Sequence, residues 1–150
     1  HVTLRVVGDG AAKEQLKLHA AGINNVHFYP QTVGEQLEEH WNWADSGLVT
    51  LAPLQAFEMT VPSKLYGVMA RGKHVTGVLG GEAASIVANS QAGDISTPGN
   101  SQVLKALLNA LAEKQELGNN IGHTQKWVSE NASPESAGKR LERVLFEVTQ

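Results

Sequence analysis

A proline, a serine and a lysine stand together at Pro62-Ser63-Lys64, directly before an apolar stripe with helical spacing. We expect Ser63 to cap this helix, because a serine hydroxyl readily accepts a backbone N–H and Pro62 cannot continue a strand ladder. The unbonded N–H groups of a helix N-terminus carry partial positive charge, and Lys64 would add a full charge beside them. The pattern therefore predicts a binding site for a phosphate or pyrophosphate group, with Ser63 and Lys64 as its ligands.

A second candidate turn lies further along the chain at Gly80-Gly81-Glu82. Glycine lets a backbone approach a ligand closely, and a helix starting at Glu82 would again present free N–H groups. We therefore count Gly80, Gly81 and Glu82 as candidate ligand-binding residues. A third glycine-rich segment, Gly8-Asp9-Gly10, lacks the last glycine of a dinucleotide-binding fingerprint and indicates only a tight turn.

The elements that must position these residues alternate along the first two thirds of the chain. Apolar runs predict strands at 2–7, 26–29, 47–52, 74–79 and 93–96. Helices are predicted between them, one of them opened by a Thr32–Glu35 capping box, and the pattern from Ser101 onward is helical only. This order predicts an α/β fold: a Rossmann-like parallel sheet of at least five strands, with helices on both faces and a C-terminal helical tail. Ligands of such sheets bind at the carboxyl ends of the strands, where we expect the helices at 63 and 82 to begin.

Composition excludes several classes of protein. The chain has 150 residues and no cysteine, which suits a single domain and excludes disulfides, a thiol nucleophile and thiolate metal sites. Its formal net charge of -3 gives no electrostatic footprint for nucleic acid, and no apolar run approaches transmembrane length. The histidines show no paired helical spacing typical of metal ligands. We therefore expect no metal, no cofactor, no nucleic-acid partner and no transmembrane segment.

Taken in order and spacing, the motifs resemble the C-terminal, donor-binding Rossmann-like half of GT-B glycosyltransferases. The nearest resemblance is to the large retaining, GT4-like family that builds bacterial surface polysaccharides. It spans most of the chain and is carried by six segments: Val6-Val7-Gly8-Asp9-Gly10, Val26-His27-Phe28-Tyr29, Ala44-Asp45-Ser46-Gly47-Leu48, Val61-Pro62-Ser63-Lys64-Leu65-Tyr66, Met69-Ala70-Arg71-Gly72-Lys73 and Gly80-Gly81-Glu82-Ala83-Ala84.

The resemblance implies a hexosyltransferase-like enzyme that binds a nucleotide-diphosphate sugar and presents the sugar to an acceptor. The acceptor would be held by an N-terminal domain outside these residues, in the cytoplasm or at the inner face of the membrane. Ser63 and Lys64 would bind the donor phosphates without a metal. The remaining donor contacts would come from Gln31, Thr32, Glu58, Pro62, Gly67, Gly80, Gly81 and Glu82. No residue is identified as a catalytic base.

Two departures from the family pattern keep alternatives open. Many members have a glutamate on the helix at the position of Gly67, where it holds the ribose hydroxyls of the donor. The other acidic position of the family corresponds to Met59, with Glu58 adjacent to it. The family domain also starts with an earlier strand and a basic phosphate clamp that do not precede His1, so we expect the chain to be a fragment of a larger two-domain protein. One alternative is a sugar-nucleotide epimerase of the same architecture; another, favoured by Gly67, is a degenerate domain that binds nucleotide weakly or serves as a protein contact.

Overall fold

A computed structural model describes residues 2–114, 117 and 121–148 of the chain. The chain divides into two compact units, His1–Ala44 and Asp45–Gln150. Within the described residues, no helix combines the length and the apolar character needed to cross a membrane.

The first unit contains two strands and two helices. Its elements are β1 (Leu4–Val7), α1 (Lys13–His19), β2 (Val26–Tyr29) and α2 (Glu35–Trp43). The two strands pair in parallel, with Leu4 opposite Val26 and Val7 opposite Tyr29. Parallel neighbours need a crossover connection, and α1 supplies it.

Lys13 ties the carboxyl ends of β1 and β2 together. Its ammonium donates to the carbonyl oxygens of Gly8 at 2.6 Å and Tyr29 at 3.0 Å, and to the carboxylate of Asp9 at 2.8 Å. A lysine ammonium has three N–H donors, so these three acceptors satisfy it completely. Lys13 is therefore a structural residue of this turn.

The predicted capping box at Thr32 is wrong. The N-cap of α2 is Gly34, which has a φ of 60°, and the helix has no side-chain cap. Thr32 therefore lies two residues before the cap, too early for its hydroxyl to reach the third N–H of the helix. Its Oγ1 is buried without a partner among the described residues.

The second unit is built on three parallel strands in the order β3-β4-β5. They are β3 (Ser46–Thr50), β4 (His74–Val78) and β5 (Gly93–Ser96), with α3 (Ser63–Ala70) and α4 (Gly81–Ser90) as crossovers. A short 3-10 turn, Gln55–Phe57, lies in the loop after β3. The central strand β4 is mostly buried, as expected for a parallel strand covered by helices. The buried apolar residues of this unit are Val49, Leu65, Val68, Met69, Val75, Leu79, Ala83, Ile86, Val87, Ala92 and Leu111.

Three further helices complete the second unit: α5 (Ser101–Glu113), α6 (Ile121–Asn131) and α7 (Pro134–Val148). The Asn100 side chain caps α5 by accepting the N–H of Val103 at 3.1 Å. Ser133 accepts the N–H of Ser136 at 3.1 Å at the start of α7, and Pro134 takes the first helical position. The helical tail predicted from the sequence is confirmed.

The predicted α/β class is confirmed as well, because all five described strands are parallel and alternate with helices. Their pairing differs from the expectation. The strands form a two-stranded ladder in the first unit and a three-stranded ladder in the second, where the sequence pattern predicted one sheet of at least five strands.

Candidate functional site

The carboxyl edge of the three-stranded sheet carries the two helix N-termini on which most of the predicted site residues of the second unit lie. The loop after β3 leads into α3, and the turn after β4 leads into α4. Each helix returns the chain to the amino end of the next parallel strand, so both helices begin at the carboxyl edge. This placement of the two helix N-termini confirms the prediction made from the order of elements.

A cavity of about 310 Å³ opens at this edge. It is lined by Leu51, Ala52, Pro53, Leu54, Gln55, Phe57, Glu58, Gly80, Thr97 and Pro98. The lining is largely apolar and includes a few polar side chains, which is typical of a small-molecule site. Its volume lies at the lower end for such sites and suits one ring system better than a whole nucleotide sugar.

Glu58 joins the cavity to the N-terminus of α4. The carboxylate of Glu58 lies near the turn, 3.7 Å from the place a side-chain carbon on Gly80 would take. Its backbone carbonyl accepts the N–H of Glu82 at 2.8 Å. The structure thus brings Glu58, Gly80, Gly81 and Glu82 together. One first-turn N–H group of α4, that of Glu82, already donates to a protein carbonyl and is not free for a ligand.

The N-terminus of α3 is open. Its N-cap is Pro62, in an extended conformation, and Ser63 is already the first helical residue, so the predicted side-chain cap by Ser63 is wrong. A residue with helical dihedrals points its hydroxyl away from the N–H groups that a cap must reach. Ser63 and Lys64 are both exposed, and among the described residues their backbone N–H groups donate to no protein acceptor. These free donors, with the Lys64 ammonium, can receive an anion.

Gly67 lies in the middle of α3, the predicted phosphate-binding helix, with room around it. A side-chain carbon built there would meet only the guanidinium of Arg71, at 3.9 Å. The position is half-buried and has helical dihedrals within α3, so packing does not demand glycine. The structure thus shows no steric reason against a side-chain carbon here, at the position where the glycosyltransferases that the motifs resemble often have a glutamate.

Gln31 and Thr32 belong to the first unit, where they follow the carboxyl end of β2. The pKa of Asp9 is lowered, first by its hydrogen bond and charge interaction with Lys13 and to a smaller extent by the Gln31 N–H. The other predicted site residues all lie in the second unit.

The structure also contains a polar network that the sequence did not reveal, at the amino ends of β3, β4 and β5. The buried His74 ring contacts Ser46 Oγ through Nδ1 at 2.9 Å and Asp94 Oδ2 through Nε2 at 3.0 Å. Lys114 Nζ donates to the same Asp94 oxygen at 2.8 Å. These contacts hold the pKa of Asp94 below its ordinary value, with the Lys114 hydrogen bond as the main cause.

Serine, histidine and aspartate in a chain suggest nucleophilic catalysis, but this network is not built for it. The Ser46 hydroxyl also lies 2.9 Å from the His74 carbonyl oxygen and 2.7 Å from Thr76 Oγ1. One hydroxyl has one donor and two acceptor sites, so three protein neighbours use all of them. The network therefore ties three strands together at the edge opposite the cavity. A histidine at the start of a buried strand was the available signal in the sequence, and it does not indicate which residues the ring contacts.

The fold and the groups at the carboxyl edge of the three-stranded sheet define the class of protein. The chain is a Rossmann-like α/β protein with a small apolar cavity and an open helix N-terminus at the carboxyl ends of its strands. Within the residues described, no three histidine, aspartate or glutamate side chains lie close enough to hold a metal ion. A scan of protein-family models finds no match for this chain, and a search of curated protein sequences finds none either. Its chemistry must therefore be inferred from its own residues and motifs.

Proposed function

We propose that the chain is the donor-binding part of a GT-B glycosyltransferase, which moves a sugar from a nucleotide-diphosphate sugar to an acceptor in surface-polysaccharide synthesis. The observation that carries the proposal is the presence, at the same edge of the sheet, of a cavity and of the open N-terminus of α3 with Lys64. The motif resemblance supplies the reaction class, and the α/β fold is compatible with it.

In this proposal the diphosphate lies over the first turn of α3. The free N–H groups of Ser63 and Lys64, the helix dipole and the Lys64 ammonium would stabilise the charge that grows on the departing diphosphate. Such stabilisation needs no metal ion. Lys64 is exposed, so its contribution would increase when a bound donor displaces water from the helix end.

One ring of the donor's neutral part would occupy the cavity. Apolar side chains such as Leu54 and Phe57 suit the face of a ring, while Glu58 can accept hydrogen bonds from hydroxyl groups. An exposed carboxylate at the cavity would repel the phosphates, which favours their placement at α3. Pro62, Gly80 and Glu82 would border the ligand between these two positions.

The test is a calorimetric titration of the chain with UDP and GDP, with uridine and guanosine, and with inorganic pyrophosphate at matched ionic strength. We expect one diphosphate to bind at least about tenfold more tightly than its nucleoside, since one charge-assisted hydrogen bond contributes about 1.5–3 kcal/mol. Pyrophosphate should bind more weakly than that nucleotide, because it leaves the cavity empty. Equal affinity for pyrophosphate and the nucleotides would contradict the cavity assignment, and no saturable binding of any probe would overturn the proposal.

A degenerate, non-catalytic domain is the second candidate, and two observations favour it. Gly67 lacks a ligand side chain although there is room for one, and the Glu82 N–H is already bonded to Glu58. The same titration bears on the two candidates, because a degenerate domain would bind UDP and GDP weakly or not at all. Nothing in the described residues favours an epimerase: the histidine–aspartate contact at His74 and Asp94 lies at the opposite edge of the sheet.

A further inference from the structure

We infer that Gly81 is a positioning residue, through which the N-terminus of α4 holds the wall of the candidate cavity in place. Seven of the ten residues that line the cavity belong to the segment 51–58 after β3. A backbone hydrogen bond joins that segment to α4, where the carbonyl of Glu58 accepts the N–H of Glu82 at 2.8 Å. We call the Glu58 carbonyl, Gly81 and the Glu82 N–H the latch.

The latch requires glycine at position 81 for two physical reasons. A side-chain carbon there would lie 2.6 Å from the Cα of Glu58 and closer still to its carbonyl group, so the backbone of the wall would have to move. The φ of Gly81 is also +55°, a left-handed conformation that other residues adopt only with strain. Any side chain at this position therefore opposes the contact between α4 and Glu58.

Displacement of Glu58 would also displace the cavity wall, because backbone hydrogen bonds within the segment join Glu58 and Phe57 to the residues before them. The N–H of Phe57 donates to the Leu54 carbonyl at 2.9 Å, and the N–H of Glu58 donates to the Gln55 carbonyl at 3.1 Å. These bonds join Glu58 to the 3-10 turn that forms part of the cavity wall. Gly81 thereby acts on the cavity through Glu58, without lining the cavity itself.

The neighbouring Gly80 is a matched control. Its φ of -125° and ψ of 179° are extended dihedrals that any residue adopts. A side-chain carbon at Gly80 would lie 3.7 Å from Glu58 Oε1 and 4.0 Å from Pro98 Cδ, which are ordinary contacts. Two adjacent glycines of the same motif should therefore respond differently to the same substitution.

The first test measures amide hydrogen exchange and backbone amide resonances in the unmodified chain, Gly81→Ala and Gly80→Ala. We expect the Glu82 amide to be protected in the unmodified chain and in Gly80→Ala, and to exchange at least about tenfold faster in Gly81→Ala. The resonances of residues 51–58 should shift together in Gly81→Ala and only next to the substitution in Gly80→Ala. Equal behaviour of the two variants would overturn the inference.

If Gly81→Ala does not fold, the unmodified chain still decides the matter. A Glu82 amide that exchanges as fast as an unbonded first-turn amide would show that the latch does not exist. Slow exchange at Glu82, together with loss of folding in Gly81→Ala but not in Gly80→Ala, would support it.

A second test measures the consequence for binding, which rests on the proposed function. We expect Gly81→Ala to weaken the binding of UDP or GDP at least about tenfold while its binding of inorganic pyrophosphate stays near that of the unmodified chain. A disrupted latch with unchanged nucleotide affinity would overturn the positioning role. If the unmodified chain binds neither nucleotide, the proposed function fails, and the exchange and resonance measurements still judge the latch.

Discussion

Two lysines follow the carboxyl ends of strands in this chain, and their surroundings give them different roles. Lys13 has all three donors bonded to Gly8, Asp9 and Tyr29, and its side chain is only 14% exposed. Lys64 lies on the first turn of α3 and is exposed. Because a saturated ammonium has no donor to offer, Lys64 is the one of the two that can meet a ligand.

We predict that Lys64→Ala weakens binding of a nucleoside diphosphate by about tenfold and leaves binding of the nucleoside unchanged. A charge-assisted hydrogen bond contributes about 1.5–3 kcal/mol, and the exposure of Lys64 places the effect at the lower end of that range. Calorimetric titration of both ligands checks it. Lys105→Ala, an exposed lysine on α5, is the control. Equal losses for the two ligands would leave Lys64 as a solvated residue with no part in phosphate binding.

At the scale of elements, the second unit is held at the amino ends of its strands by the network of Ser46, His74, Asp94 and Lys114. Since the pKa of Asp94 is lowered from its ordinary 3.8, the folded state favours the ionised carboxylate. The contribution of the ionised Asp94 carboxylate to the stability of the folded state is therefore fully present above about pH 4. It is lost as the pH falls through the lowered pKa that Asp94 has in the folded state.

We predict that Asp94→Asn removes the part of the pH dependence of the unfolding free energy that comes from the Asp94 carboxylate. Urea unfolding of both proteins between about pH 6 and pH 2 should show the unmodified chain to be more stable near pH 6, with the difference shrinking below about pH 4. Asparagine keeps the shape but carries no charge for Lys114 to bind. A stability difference that stays constant over this range would contradict the assignment of the effect to the Asp94 charge.

Helix α6 closes the C-terminal ends of the two crossover helices. The Gln125 side-chain amide donates to the carbonyl of Ala70, the last residue of α3, at 3.2 Å. The His123 ring meets the carbonyl of Ser90, the last residue of α4, through Nδ1 at 3.1 Å. The last carbonyls of a helix lack partners within it, so these side chains satisfy groups that would otherwise depend on water.

We predict that Gln125→Ala lowers the free energy of unfolding by about 0.5–1.5 kcal/mol, the usual contribution of one hydrogen bond. Gln102→Ala, at an exposed position of α5, is the matched control for the change in helix propensity. Chemical unfolding of both variants gives the comparison. If the two substitutions lower the free energy of unfolding equally, the Gln125 hydrogen bond contributes nothing beyond the change in helix propensity.

At the scale of the whole molecule, we expect the electrostatics of a helix end and a lysine to bind the diphosphate without a metal ion. We predict that UDP or GDP raises the midpoint of thermal unfolding and that EDTA leaves this rise unchanged. A ligand at a hundred times its dissociation constant adds about 2.7 kcal/mol of stability. Differential scanning fluorimetry with and without EDTA and added Mg²⁺ measures it. A rise that disappears in EDTA and returns with Mg²⁺ would show that a metal takes part.

Much of the fold was predictable, because strand and helix patterns depend on neighbouring residues. Strand β5 was predicted at its observed bounds, and α7 was predicted to open at Ser133-Pro134. The caps were predicted less well: Thr32 and Ser63 are common cap residues, but glycine and proline at the neighbouring positions 34 and 62 moved the helix starts. A shift of one or two residues is small for a helix and decisive for a cap, because a cap is a single hydrogen bond.

The sequence by itself determined the α/β order and the presence of two helix starts at the carboxyl edge, because parallel strands with helical crossovers leave no other edge for them. Only the tertiary structure decided which groups meet across distance. Glu58 and Glu82 share a hydrogen bond, and His74 meets Asp94, although each pair is separated by twenty or more residues. No local pattern encodes such contacts, since they depend on how the loops and strands pack.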